Sequence, residues 1–163
     1  MEYNLEPHDL VRSLRALKPH ALVLAAVRDN EFVMEDPGVQ VPVILDPHRF
    51  HQIGLNLISN AAKFTNDGVI TVRVTQRGKR AVFEVEDTGI GMNEEQVARV
   101  FLPFEQATNV THRSYGGTGL GLALVRHLAQ EMGGELEVES VPGKGSTFLV
   151  SFPIATQLLQ GAA

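Results

Sequence analysis

DPHRFHQIGLNLISNAAKFTNDG, residues 46–68, states where a helix begins, which side it buries and where it ends. Asp46 is an N-cap residue and Pro47 fits the first helical position, where a missing N–H costs nothing. At about 100° per residue, Phe50, His51, Ile53, Gly54, Leu55, Leu57, Ile58, Ala61, Ala62 and Phe64 share one arc. Arg49, Gln52, Asn56, Ser59, Asn60 and Lys63 fill the other. The helix is expected to run to about Phe64, and Asn66-Asp67-Gly68 turns the chain.

Asn56 and Asn60 are i,i+4 neighbours with Lys63 a turn further on, so their heads converge on one patch. A solvated polar face is the ordinary reading of such a sector. Asparagine, however, is a poor helix former, and a merely wet face more often uses Glu, Lys or Gln. Two amides and a fixed cation offer neutral oxygens beside a positive charge, which suits hydrated Mg²⁺ and its phosphates. His51 falls on the apolar arc and reads as a satisfied core histidine.

Working outward, residues 69–75 (VITVRVT) and 81–86 (AVFEVE) alternate around Arg77-Gly78-Lys79-Arg80 and read as an antiparallel hairpin. A second hairpin pairs 135–141 with 146–152 across Pro142-Gly143-Lys144-Gly145. Asn93 with Glu94 and Glu95 opens a short helix to about Val100. Residues 103–118 form a long polar loop, and a helix follows from about 119 to 132, stopped by Gly133-Gly134. Upstream, apolar residues at 10, 11, 14, 17, 21, 22 and 24 predict a helix from Pro7 to about Arg28, kinked or divided at Pro19. Residues 39–45 read as a strand, and Pro42 places it at an edge. The sum is an α+β two-layer sandwich, a mixed and mostly antiparallel sheet covered on one face by about three helices.

The chain has 163 residues, 44% hydrophobic and 20% charged, which fits one core-building domain. A net charge of −5 favours neither nucleic acid nor an anionic membrane. With no cysteine, disulfides and thiolate metal sites are excluded. The longest apolar run, ALVLAAV at 21–27, falls far short of the roughly 20 residues that span a bilayer. MEYNLEPHD has neither a basic nor an apolar signal region. The expectation is a cytoplasmic domain without direct membrane contact, whose parent protein is free to be anchored.

Two glycine clusters bear on function. DTGIGM (87–92) follows a strand; Gly89 and Gly91 allow a sharp turn, and Asp87 could accept a hydrogen bond from a ligand amine. Alone, such a segment is an ordinary turn. GGTGLGL (116–122) lies at a helix start, where free N–H groups and the helix dipole favour phosphate. Gly121 falls inside that helix at a cost of about 1 kcal/mol and needs a packing or ligand reason. The dinucleotide fingerprint is rejected because the cluster follows a loop and leads into a hairpin. PGKGST (142–147) lacks the P-loop GK[ST] and reads as a hairpin turn.

NLISNAAKFT, DTGIGM, FLPFEQ and GGTGLGL, in this order and spacing, resemble the N, G1, F and G2 boxes of sensor histidine kinases. The catalytic and ATP-binding domain of that family has the Bergerat fold of the GHKL ATPases. The resemblance covers about 46–153, with 1–45 as lead-in helix and strands and 154–163 as a tail of one single domain. The phrasing FEQATNVTHRSYGGTGLGLALV resembles hybrid-type kinases, which also carry receiver domains.

The resemblance implies ATP and Mg²⁺ as cofactors. Asn60 would coordinate Mg²⁺, Asn56 would lie close to the triphosphate and Lys63 would contact a phosphate. Asp87 would hydrogen-bond the adenine amino group, with Gly89 and Gly91 forming the base pocket. Gly117, Gly119 and Gly121 would cradle the phosphates with amides around Leu120, beside Thr118 and Leu122; Thr147 joins the nucleotide set. Residues 105–116 would be a lid anchored by Phe101 and Phe104. Arg113, Tyr115 and His112 in that lid are weaker candidates, since a solvated loop explains each equally well. In the related gyrase and mismatch-repair ATPases a glutamate stands at the place of Asn56 and activates water, which an amide cannot do.

The implied partner is a histidine-bearing dimerisation domain, with a response regulator or receiver domain reached indirectly. None of His8, His20, His48, His51, His112 and His127 stands in a motif like H-E-x-R-T-P, so the phosphoacceptor is expected on a separate domain and the isolated chain as a monomer with little turnover. The competing expectation is a degenerate module that binds nucleotide or a partner and regulates without phosphotransfer.

Overall fold

The structure, a computed structural model, describes residues 2–102 and 121–156. In chain order the elements are β1 (Glu6–Asp9), α1 (Leu10–Ala26), β2 (Glu31–Glu35), β3 (Pro42–Leu45), α2 (Pro47–Lys63), β4 (Val69–Arg77), β5 (Arg80–Asp87), α3 (Glu94–Arg99), α4 (Gly121–Glu131), β6 (Glu135–Val141) and β7 (Gly145–Pro153). Five strands form a sheet in the order β2-β4-β5-β7-β6, while β1 and β3 form a separate antiparallel ribbon. Both predicted hairpins are present, and β2 joins β4 in parallel, which makes the sheet mixed.

Alternation along the strands divides the sheet into two faces. Ile70, Val72 and Val74 of β4, Ala81, Phe83 and Val85 of β5, and Phe148, Val150 and Phe152 of β7 are buried together. Phe50, Ile53, Leu57, Ile58 and Ala61 of α2 cover them, flanked by Leu14, Leu17 and Ala21 of α1 and by Val125, Leu128 and Ala129 of α4. Phe50 fixes the centre, its ring edge-on to Phe83 at 5.1 Å and to Phe152 at 5.9 Å between centroids. Charge covers the opposite face, where Arg73 reaches Glu84 at 2.9 Å, Glu35 at 2.9 Å and Glu86 at 3.0 Å, and Arg77 also binds Glu84. The expected two-layer sandwich is the observed one, with α1, α2 and α4 on the sheet and α3 against β6.

Apart from β2, which the periodicity reading did not place, the lead-in departs from that reading in three places. Residues 6–9 are a strand rather than the first turn of a helix, because Glu6–Asp9 pairs with Pro42–Leu45. Asp9 then caps α1, accepting the Val11 N–H at 3.0 Å, and ties in Val41 N–H at 3.0 Å. Pro19 does not divide α1, which runs unbroken from Leu10 to Ala26. Pro19 lies on the exposed side, where water can serve the carbonyl it frees, while Leu14, Leu17 and Ala21 hold the helix to the core. The strand expected over 39–45 contracts to Pro42–Leu45, with proline at its first position where no ladder N–H is needed. Pairing only with β1, it is an edge as expected.

Candidate functional site

The candidate site begins with how α2 is held. Asp46 is 7% exposed and its carboxylate accepts the N–H groups of His48 (3.0 Å), Arg49 (3.2 Å) and Asn4 (3.0 Å). Burial pushes its pKa up, but these three donors and the Arg49 charge outweigh that and hold it below the usual range. With one end pinned and its apolar arc on the sheet, α2 presents Asn56, Asn60 and Lys63, all half-buried, along its other side.

Asn56 donates through Nδ2 to the Gln52 carbonyl at 2.9 Å, which leaves its amide oxygen free to face outward. A Cβ placed on Gly121 would lie 3.4 Å from that oxygen. The first residue of α4 therefore meets the amide line of α2 at ordinary contact distance, so packing alone does not demand a glycine there. Leu122 beside it turns inward and packs on the core.

The other end of the site is where β5 stops. Asp87 is 6% exposed, and its carboxylate accepts the Gly89 N–H at 2.9 Å and the Ser146 N–H. Burial pushes its pKa up to about 6 against these two donors, and Glu86 next to it adds in the same direction. The Thr65 hydroxyl faces the same carboxyl and helps to hold its pKa down, at a geometry short of a full hydrogen bond, since Oγ1 has no partner among the described residues. The turn after Asp87 is clamped to the end of α2. Ile90 N–H donates to the Phe64 carbonyl at 3.1 Å, and a Cβ on Gly89 would stand 2.1 Å from that oxygen. Gly91, at φ +67°, leans instead on the β6–β7 turn, where a Cβ would meet the Val141 carbonyl at 2.0 Å. Both glycines thus have a packing role that the sequence alone did not reveal.

Thr147 is not brought to Asp87. Register pairs Asp87 with Ser146, and Thr147 with Glu86 and Glu139, so Thr147 stands on the opposite face of the sheet. Ser146 is the neighbour that sequence reasoning missed; its hydroxyl lies 2.7 Å from that of Ser140, which also receives Met92 N–H at 2.7 Å. Phe101 packs edge-on to Phe148 at 6.0 Å between centroids, while the lid it is expected to anchor lies outside the described residues. Phe104, His112, Arg113, Tyr115, Gly117, Thr118, Gly119 and Leu120 lie outside the described residues. His51 is half-buried, edge-on to His20 at 5.8 Å, and its pKa is lowered by burial and then by His20 and His48. It takes no part in the site.

The described residues thus set a buried carboxylate at the end of β5 and two amides and an ammonium along the half-buried side of α2. Asn60 and Asn56 offer uncharged oxygens of the kind Mg²⁺ accepts alongside phosphate and water. Among the described residues no group of three or more His, Asp or Glu could cage a metal alone, so a cation here would share the oxygens of its ligand. Among them, too, no helix is long and apolar enough to cross a membrane.

Carboxylate, amide line and adjoining glycine on a two-layer α/β sandwich define an ATP-binding domain of the Bergerat fold. The chain belongs to the family of histidine kinase-, DNA gyrase B- and HSP90-like ATPases, whose model matches residues 45–156. It is 49% identical over 112 residues to the circadian input-output histidine kinase CikA of Synechococcus elongatus, covering 68% of this chain and 15% of CikA. It is 42% identical over 123 residues to hybrid signal transduction histidine kinase B of Dictyostelium discoideum, covering 72% of this chain and 6% of that protein. Full-length ShkA, whose crystal structure is a complex with AMPPNP, superposes with a TM-score of 0.82 at 32% identity over 95% of this chain and 32% of ShkA. The chain thus spans a small fraction of the length of the curated relatives it matches.

Proposed function

We propose that this chain is the ATP·Mg²⁺-binding catalytic domain of a two-component histidine kinase. It holds ATP so that the γ-phosphoryl group passes to an imidazole nitrogen on a separate, histidine-bearing dimerisation domain, and ADP leaves. A receiver domain would take the phosphoryl group from that histidine. Kinship with histidine kinases, one of them hybrid, supports this reading.

The observation that carries it is Asn56, whose amide oxygen adjoins the α4 start, where the phosphates would lie. An amide has no basic lone pair at neutral pH and cannot take a proton from water. The chain's own residues are thereby suited to holding the triphosphate rather than spending it on hydrolysis. Asn60 would hold Mg²⁺, whose charge would screen the phosphates; Lys63 would pair with a phosphate oxygen, and Asp87 would orient the base by accepting its amine. The lid expected over 105–116 lies outside the described residues.

Calorimetric titration with a non-hydrolysable ATP analogue, with and without Mg²⁺, tests the reading. The chain should bind more tightly with Mg²⁺, and Asn60→Ala should abolish that gain. Equal affinity in wild type and variant under both conditions would remove the metal role from Asn60, and no binding at all would end the proposal.

A further inference from the structure

Beneath the turn that follows Asp87 lies a side chain to which the proposed function gives no task. Thr65 follows the last residue of the α2 cap, is 1% exposed, and keeps Oγ1 buried with no hydrogen-bond partner among the described residues. A hydroxyl so placed is unfavourable, since it has left water without compensation. Nor can the residue move away. Its carbonyl receives Asn30 Nδ2 at 2.8 Å, and Asn30 Oδ1 in turn receives Gly68 N–H at 3.0 Å. A Cβ on Gly89 would stand 2.7 Å from Thr65 Oγ1, so the hydroxyl lies directly under the turn that carries Asp87.

Asp87 has room for another donor. An ionised carboxylate offers about four lone-pair sites, and within the protein it takes the N–H groups of Gly89 and Ser146. We propose that Thr65 is the positioning residue of Asp87: its hydroxyl turns to donate to the carboxylate and fixes the oxygen that faces the ligand's amine. The inference rests on the reading of Asp87 as acceptor for the base. Turning a hydroxyl needs no movement of the backbone, so the donor is ready when the ligand fixes the carboxylate. Thr65 also lies two residues beyond Lys63, so one short segment would align the phosphate wall and the base end together.

A donor of this kind favours the charged carboxylate, and Thr65 already acts in that direction on Asp87. The other groups that reach the carboxyl are Glu86 on its own strand, the Gly89 N–H from the following turn and the Ser146 N–H from β7. Of these only Glu86 is charged, and it acts from the same strand in every variant below.

The test is carbon-detected NMR titration of the Asp87 carboxyl in the free chain, alongside ATP-analogue titrations across pH. Thr65→Val removes the hydroxyl and keeps the shape; it should raise the Asp87 midpoint by about half to one unit. Thr65→Ser should restore it. Analogue affinity near pH 7 should fall several-fold in Thr65→Val alone. If Thr65→Val does not fold, Thr65→Ala against Thr65→Ser gives the same comparison. An unmoved midpoint overturns the role of Thr65. A moved midpoint with an affinity that also ignores Asp87→Asn overturns it through the assignment of Asp87 instead.

Discussion

Asp87 shows what the proposed site demands of a single residue. Its carboxyl is pushed up to about 6 by burial, so the folded chain holds this proton more tightly than the unfolded chain, where the value is about 3.9. The stability from that proton is fully present below about pH 4 and is lost as pH rises to about 6; by neutral pH the buried charge costs about 3 kcal/mol. A ligand amine asks for the opposite, an ionised acceptor. Nucleotide affinity should therefore fall as pH drops through about 6, where folding stability recovers. Asp87→Asn separates the two demands. It should stabilise the free chain at pH 7 by about 1–2 kcal/mol, less than the full cost because its NH₂ group cannot accept the Gly89 and Ser146 N–H groups. The gain should disappear near pH 4, and analogue affinity should drop tenfold or more. Thermal unfolding at the two pH values and one titration measure this; a variant less stable at pH 7 would contradict the assigned cost.

At the scale of elements, α2 shows what could be read in advance and why. Asp46, Pro47 and the apolar arc act within a turn or two of the chain, so its ends and its amide line were legible without any partner. The capping box of α3, Asn93 with Gln96, is local in the same way. β1 and β2 were not legible, because Glu6 pairs with Leu45 and Glu31 with Val69, and no local pattern announces such partners. That Ser146 rather than Thr147 stands beside Asp87 was hidden for the same reason. It depends on which residue of β7 stands opposite Asp87, and cross-strand register decides that. Thr65 was equally hidden, since its importance arises only where the end of α2 meets the end of β5. The cap also admits a direct test. Asp46→Ala removes the acceptor of three N–H groups and should lower stability by about 2 kcal/mol. Urea unfolding should show a lower midpoint at an unchanged m-value. The folded fraction should bind the analogue within about twofold of wild type, because the core contacts of α2 keep the amide line in place.

At the scale of the whole molecule, the division of labour follows from which groups the chain has and lacks. In the proposed reading the chain's Asp87 and the amide line of α2 would orient ATP, and its Asn56 would stand where a water-activating carboxylate is needed for hydrolysis. None of its six histidines lies in a phosphoacceptor motif. Positioning supplies most of the help a phosphoryl transfer needs, so a nucleotide held without an acceptor should simply remain held. Incubated alone with γ-labelled ATP, the chain should bind and release little phosphate. Addition of a separately produced dimerisation domain from the same protein should move label to that domain, in a form labile to acid and stable to base. Asn60→Ala should prevent the transfer, while Thr147→Val, on the far face of the sheet, should leave it intact. Label that never leaves ATP, despite binding, would favour a regulatory module over a kinase. Rapid release of phosphate by the chain alone would show that water reaches the γ-phosphate by a route that does not need a carboxylate at position 56.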